Sequence, residues 1–176
     1  MTLGNPRDLD DLLNYRLMRL LAVSGAPVIR LCEGRYGIAR REWRLLALLA
    51  AHGALSPSEL ADRGDLDRAR TSKAIGSLVA KRLADRVPKP GDGRRAVVTL
   101  SETGRRLYDE LFPQVAEINR QVLSTLDAKL LAALDEALQR LTVHAAQVNQ
   151  QQALDVQADR LRGGSRRHWG QDGTTG

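Results

Sequence analysis

A single cysteine, Cys32, stands in the whole chain. That excludes an internal disulfide and any cysteine-rich metal centre. The three histidines, His52, His144 and His168, are scattered, so no metal is expected. Aromatic residues make up 3% of the chain. With so few rings the core has to come from leucine, alanine and valine, which suits packed helices. No apolar run approaches the roughly 18 residues of a membrane span. Residues 1–11, MTLGNPRDLDD, lack the basic-then-apolar pattern of a secretory signal. We therefore expect a cytoplasmic protein with no membrane partner. No Ser-His-Asp arrangement and no glycine-rich phosphate loop occurs in the right context, so neither an enzyme nor a cofactor is expected. Acid is also short, with 27 Lys+Arg against 21 Asp+Glu and a formal charge of +6. A pI near 10.1 fits an anionic partner, but alone does not separate nucleic acid from a membrane surface.

What is present is concentrated in residues 67–100, DRARTSKAIGSLVAKRLADRVPKPGDGRRAVVTL. Asp67 is a good helix N-cap. Ile75, Leu78, Val79 and Leu83 recur at helical spacing and predict the buried face. The opposite face carries Arg70, Lys73 and Ser77, with Ala69, Gly76 and Ala80 around them. It is cationic and stripped of bulk, as suits close approach to a charged surface. Strands are predicted at 84–88 and 94–100, joined by a turn at 89–93 rich in Pro and Gly. Lys89, Arg94 and Arg95 sit at or beside its tip. Residues 62–106 hold twelve basic residues against six acids, which is the whole of the chain's net charge. A helix followed by a basic hairpin is the winged helix-turn-helix pattern, in which the helix enters a major groove and the wing reaches phosphates or a minor groove.

The flanks read as helices. Residues 8–32 predict one long helix with Leu9, Leu12, Leu13, Leu17, Leu20, Leu21, Val28 and Leu31 as an apolar face. Arg16 falls inside that stripe, and Pro27 should loosen the last turns. Gly34 to Gly37 reads as a loop. A second helix spans 40–52 and ends at Gly53. Ser56 and Glu59 form a capping box around Pro57, with Leu55 and Leu60 as a hydrophobic staple, and start a positioning helix at 57–62. The turn at 64–66 leads to the recognition helix. After the wing, Ser101 opens a helix with Leu107, Leu111, Val115, Ile118 and Val122 in its stripe, and Pro113 interrupts its hydrogen-bond ladder. A break near 125–127 precedes a last helix whose stripe is Leu130, Leu134, Leu138, Leu141, Ala145 and Val148. These flanks offer more apolar surface than one small domain covers, and a two-fold dimer is the simplest cover. The expected organisation is an N-terminal dimerisation helix at 1–37, a winged helix-turn-helix at 38–100, helices completing the dimer at 101–150, and a mostly disordered tail at 151–176. The fold class is mainly α with a small β-hairpin wing.

This order of elements, over roughly residues 8–150, resembles the MarR family of bacterial transcription regulators. Asp92-Gly93-Arg94 matches the family's Asp-x-Arg wing motif. Leu100-Ser101-Glu102-Thr103-Gly104 matches the Leu-Thr/Ser-x-x-Gly that opens the next helix. The stretch LVAKRLADR, ending at Arg86, is similar to the family's approach to the wing, with Arg82 where glycine is usual. The resemblance implies a homodimer that represses transcription from a pseudo-palindromic double-stranded operator. It implies Arg68, Arg70, Thr71, Ser72, Lys73 and Ser77 along the major groove, with Lys89, Arg94 and Arg95 on the wing and Asp92 orienting Arg94. The N-terminal half also resembles members that control aromatic-acid catabolism, such as nicotinate degradation. That implies release from DNA by a small aromatic carboxylate such as a hydroxylated nicotinate.

Single residues carry competing readings. Arg16 is the expected clamp for an effector carboxylate, set against an intersubunit salt bridge or a snorkelling side chain. Trp43 is the expected ring wall, completed by Tyr108 and Phe112, set against ordinary core packing. His52 beside Gly53 suits helix capping. Cys32 offers an alternative function as a redox-sensing thiol, although no resolving cysteine accompanies it. A basic architectural protein without sequence preference is the third class.

Overall fold

The computed structural model describes residues 3–89 and 91–151. The expected tail lies outside the described residues beyond Gln151. The architecture is mainly helical with one antiparallel hairpin.

The N-terminus departs from the single long helix. The Asp8 carboxylate accepts the Asp11 N–H at 3.2 Å and caps a short 3-10 turn, Leu9–Asp11. Leu12 is extended, and α1, Leu13–Arg30, begins only after it. Pro27 is accommodated inside α1 and removes the hydrogen bond to the Val23 carbonyl. The chain then widens into a π-helical turn, Leu31–Arg35, so Gly34 and Arg35 belong to a helical turn rather than a loop.

Helix α2, Arg40–His52, stops at Gly53, whose φ of 75° takes the chain out of the helix. Helix α3, Pro57–Gly64, starts on the expected capping box. The Ser56 hydroxyl accepts the Glu59 N–H at 3.2 Å, and the Glu59 carboxylate accepts the Ser56 N–H at 2.7 Å. Leu55 and Leu60 are both buried, as a staple requires. The helix runs two residues further than its pattern suggests and is closed by Asp65 in the left-handed region. Helix α4, Arg68–Ala80, is capped by Asp67, whose carboxylate accepts the Arg70 N–H at 2.7 Å.

Strands β1, Ala84–Lys89, and β2, Asp92–Leu100, pair antiparallel from Ala84↔Leu100 to Pro88↔Ala96. The register then shifts, so that Lys89 faces Asp92 and Gly93, Arg94 and Arg95 form an excursion on β2. Bulges of this kind re-aim a strand near its functional end. Leu55 adds a short third rung through two backbone hydrogen bonds to Val98, at 3.0 and 2.7 Å. Arg82, at the entry to β1, has a φ of 56°. It adopts the left-handed conformation that glycine would take there, at a cost of about 1 kcal/mol.

Helix α5, Glu102–Leu123, is continuous through Pro113, which has no N–H to give the Asp109 carbonyl, so the hydrogen-bond ladder is broken there while the helix runs on. Ser101 caps it, accepting the Gly104 N–H at 3.0 Å and donating to the Arg82 carbonyl at 2.7 Å. Leu111 of α5 is buried in the same core as Leu45, Leu46, Leu49, Leu60, Ile75, Leu78 and Val98. The helix therefore packs into the core formed by α2, α3, α4 and β2. Residues up to 122 form one packing unit and the remainder a second, whose described part is mainly α6, Ala128–Gln151. Asp127 caps α6 through the Leu130 N–H at 2.8 Å. No described helix is long and apolar enough to cross a membrane.

Candidate nucleic-acid interface

Helix α4 has two clearly different faces. Thr71, Ala74, Ile75 and Leu78 are buried. Arg68, Ala69, Arg70, Ser72, Lys73, Gly76 and Ala80 are exposed. The outer face is cationic and carries little bulk, as the spacing predicts. A Cβ added at Gly76 would meet nothing within 4 Å. Glycine in mid-helix costs roughly 0.5–1 kcal/mol relative to alanine, and the fold here gains no packing in return.

Three residues fall on a different side from the one expected. Thr71 is 1% exposed, and its hydroxyl donates to the Asp67 carbonyl at 2.9 Å. It fills a core position one turn into the helix and is not available to a groove. Ser77 is half-buried and stands beside the Glu42 carboxylate, whose ionised form it favours. Val79, read as core, is 37% exposed. The apolar face is thus centred on Thr71, Ala74, Ile75 and Leu78, one step back from the predicted stripe.

Arg70 is held in reserve on its own cap. Its Nε lies 3.0 Å from Asp67, and more than half of the side chain remains exposed. Such a surface pair contributes little stability and exchanges readily for a stronger acceptor. On the wing, Arg86 is exposed and Asp92 half-buried. The side chains of Lys89, Arg94 and Arg95 lie outside the described residues, so the roles expected of them rest on sequence.

Glu42 is not legible from sequence as a functional residue. It is buried in the first turn of α2, yet it accepts the Ala39 N–H at 2.6 Å and the Lys81 ammonium at 2.8 Å. Lys81 also donates to the Gly37 carbonyl at 2.8 Å. Burial alone would raise the Glu42 carboxyl. The hydrogen bonds from Lys81, Ser77 and the Ala39 amide, with the charge of Lys81, outweigh it and hold the group below the usual carboxylate range. The N3 position is a sequence signal for the bond to Ala39. Nothing in the sequence points to Lys81, 39 residues away.

The residues expected to hold an effector separate into two groups. Trp43 stacks on Tyr108 with ring centroids 5.7 Å apart, and Tyr108 on Phe112 at 5.3 Å. Arg105 lies over the Tyr108 ring at 5.8 Å. Trp43 is buried and Phe112 exposed, so the ladder runs from core to surface. Arg16 is paired elsewhere. Its guanidinium meets the nearly buried Asp11 carboxylate at 3.1 Å and the Asp10 carbonyl. The half-buried arginine therefore has an acid partner within the chain. Cys32 is 0% exposed. Burial, with Glu33 nearby, pushes its thiol up, the reverse of what a reactive thiolate needs. The described residues contain no cluster of three His, Cys, Asp or Glu able to hold a metal.

Comparison with known proteins gives the same reading of the fold. The MarR family pattern matches residues 36–95, which run from just after the π turn into β2. The chain is 34% identical over 103 residues to an HTH-type transcriptional regulator of Mycobacterium bovis, Mb0904, covering 52% of this chain and 72% of that protein. It is 32% identical over 83 residues to the HTH-type transcriptional repressor NicR of Pseudomonas putida, covering 47% of this chain. The match spans about half of the length of NicR, 52%. The solved structure of Bordetella bronchiseptica BpsR, a protein whose DNA binding is regulated by 6-hydroxynicotinic acid, superposes with a TM-score of 0.69. That match covers 78% of this chain and 98% of BpsR at 22% identity.

Proposed function

The chain belongs to the MarR family of transcription regulators, and we propose that it is a DNA-binding repressor that works as a homodimer on a pseudo-palindromic operator. The exposed face of α4 carries this reading. Arg68, Arg70, Ser72 and Lys73 line it among Ala69, Gly76 and Ala80. Cations and hydroxyls there can meet base edges and phosphates, while the small residues let the backbone come close. In the dimer the two α4 helices would lie about 34–36 Å apart, one turn of B-DNA. Thr71 and Ser77 are left out of this surface.

The interface is tested by two kinds of variant, assayed by fluorescence anisotropy on a duplex enriched from a random pool by the wild-type protein. Arg70→Ala and Lys73→Ala should weaken binding. If Arg70 reads a guanine edge, its loss should cost about 1–3 kcal/mol and be selective for sequence. Arg94→Ala should weaken binding to all duplexes and flatten the salt slope by about one phosphate contact. Unchanged affinity in all three variants across a salt titration would place the interface elsewhere. Failure of the wild type to enrich any sequence would instead favour a basic architectural protein.

The effector we propose is a small aromatic carboxylate such as a hydroxylated nicotinate. BpsR, which shares the fold, supports that chemistry. An acid arriving at Arg16 would have to displace Asp11, so the seat is made by exchange of one carboxylate for another. 6-Hydroxynicotinate should raise the unfolding temperature and release the operator, since a ligand at about 100 times its Kd stabilises the folded state by about 2.7 kcal/mol. Arg16→Ala should bind DNA normally and lose the response. A variant that responds as the wild type does would remove Arg16 from the effector site.

A further inference from the structure

Helix α4 is seated through the side chains of Thr71, Ala74, Ile75 and Leu78. Apolar packing of that kind fixes depth well and register poorly, because dispersion contacts are not directional. At the N-terminal end of α4, the bonds of Arg70 and Thr71 go to Asp67, on the helix's own cap. The C-terminal end is different. Lys81 donates to the buried Glu42 carboxylate, with Ser77 beside it, and the same carboxylate takes the Ala39 N–H at the entry to α2. Lys81 carries the tie on to the Gly37 carbonyl, just after the π turn. One carboxylate thus joins the loop before α2, the first turn of α2 and the last turn of α4. Hydrogen bonds to an ionised group are directional and about twice as strong as neutral ones.

We propose that Glu42 is a positioning residue for the recognition helix: it fixes the rotation and register of α4 through Ser77 and Lys81, and so sets operator discrimination without touching DNA. This rests on the reading of α4 as the recognition helix. A helix free to roll keeps its cations near phosphates, because those contacts tolerate displacement. It loses base-edge contacts, which do not. Glu42 should therefore affect specificity more than overall affinity. The same tie links α4 to the segment after α1, so displacement of that segment is passed to the groove-facing side chains.

The test measures the affinity ratio between a duplex enriched from a random pool by the wild-type protein and a shuffled duplex of equal composition, at several salt concentrations. Glu42→Gln and Lys81→Met should each lower that ratio by about tenfold, and the double variant should be little worse than either single one, because all three break the same tie. The salt slope should stay that of the wild type. Circular dichroism establishes that each variant is folded. Should the isosteric Glu42→Gln fail to fold, Ser77→Ala carries the test, since it removes the hydroxyl beside Glu42 and leaves the ion pair. It should lower the ratio by about threefold with an unchanged slope. A ratio within the error of the wild type in every folded variant would overturn the proposal. So would a Lys81→Met protein whose slope falls by about one unit while its ratio holds, because Lys81 would then be a phosphate contact. A wild-type protein that enriches no sequence would overturn the recognition-helix reading and this proposal with it.

Discussion

Gly104→Ala should destabilise this protein more than a methyl group added at any other described glycine. Gly104 lies in the first turn of α5, directly against the backbone of Leu83. A Cβ at this position would overlap the Leu83 carbonyl oxygen, stand 2.9 Å from the carbonyl carbon and 3.2 Å from Leu100 Cδ2. The obstacle is backbone, and it is already engaged, because the Leu83 carbonyl accepts the Ser101 N–H at 3.2 Å. Relief would require α5 to move away from the entry to the wing, with loss of the Ser101 cap and of packing around Leu111. Overpacking of this kind costs about 3 kcal/mol. Urea unfolding should show a lower midpoint with an unchanged slope. Gly76→Ala is the control of opposite sign. It is also a helical glycine, but with open space around it, so alanine should add about 0.5–1 kcal/mol. Equal stability of the two variants would contradict both assignments.

That contrast shows why parts of this fold are legible in the sequence and others are not. The Leu-Ser-x-x-Gly stretch marks Gly104 as the opening of a helix. Its close approach to Leu83 depends on a tertiary contact and leaves no local trace. The capping box at Ser56, the stop at Gly53 and the start at Asp67 are legible because each acts within four residues, the range over which sequence order and spatial neighbourhood coincide. The direction of the α4 face is legible as well, but its centre lies one step from where the apolar pattern puts it. Thr71 carries a hydroxyl and reads as polar, yet that hydroxyl is satisfied by the Asp67 carbonyl, which lets the residue enter the core.

The N-terminal segment departs from its pattern for a related reason. Leu9 and Leu12 fit a helical stripe with Leu13 and Leu17, so the pattern predicts one long helix. Asp8 instead caps a 3-10 turn through the Asp11 N–H. Asp11 pairs with Arg16 and Asp10 with Arg19, at separations of 5 and 9 residues that a helix does not bring together. The 3-10 turn and the extended Leu12 provide that geometry, and both leucines are left exposed. The same pairing accounts for Arg16 in an apolar stripe. At the candidate site, the cations on α4 are legible from charge and spacing. Glu42 is not, since its partners at Ser77 and Lys81 lie far along the chain.

Leu134→Glu combined with Leu138→Glu should convert the proposed dimer into monomers and abolish tight operator binding. Helix α6 has no buried residue. Leu130, Leu134, Leu138 and Leu141 lie in a row along it, Leu134 at 38% and Leu138 at 42% exposure. Helix α1 likewise has no buried residue and leaves Leu17, Leu20 and Leu21 exposed. Each row is the narrow leucine stripe of a helix that packs on another helix, and a second copy of this chain would cover it. A carboxylate placed in such a seam must be desolvated or must force the helices apart. Because both leucines are solvent-facing within the chain, the two substitutions should leave helix content unchanged by circular dichroism. Operator affinity should fall by roughly 10²–10⁴-fold, the advantage that two linked half-site contacts have over one. Sedimentation velocity and anisotropy read the two effects separately. If the double variant sediments as a dimer, α6 is not the seam. If it is a monomer and holds the operator as tightly as the wild type does, paired half-sites are not the basis of recognition.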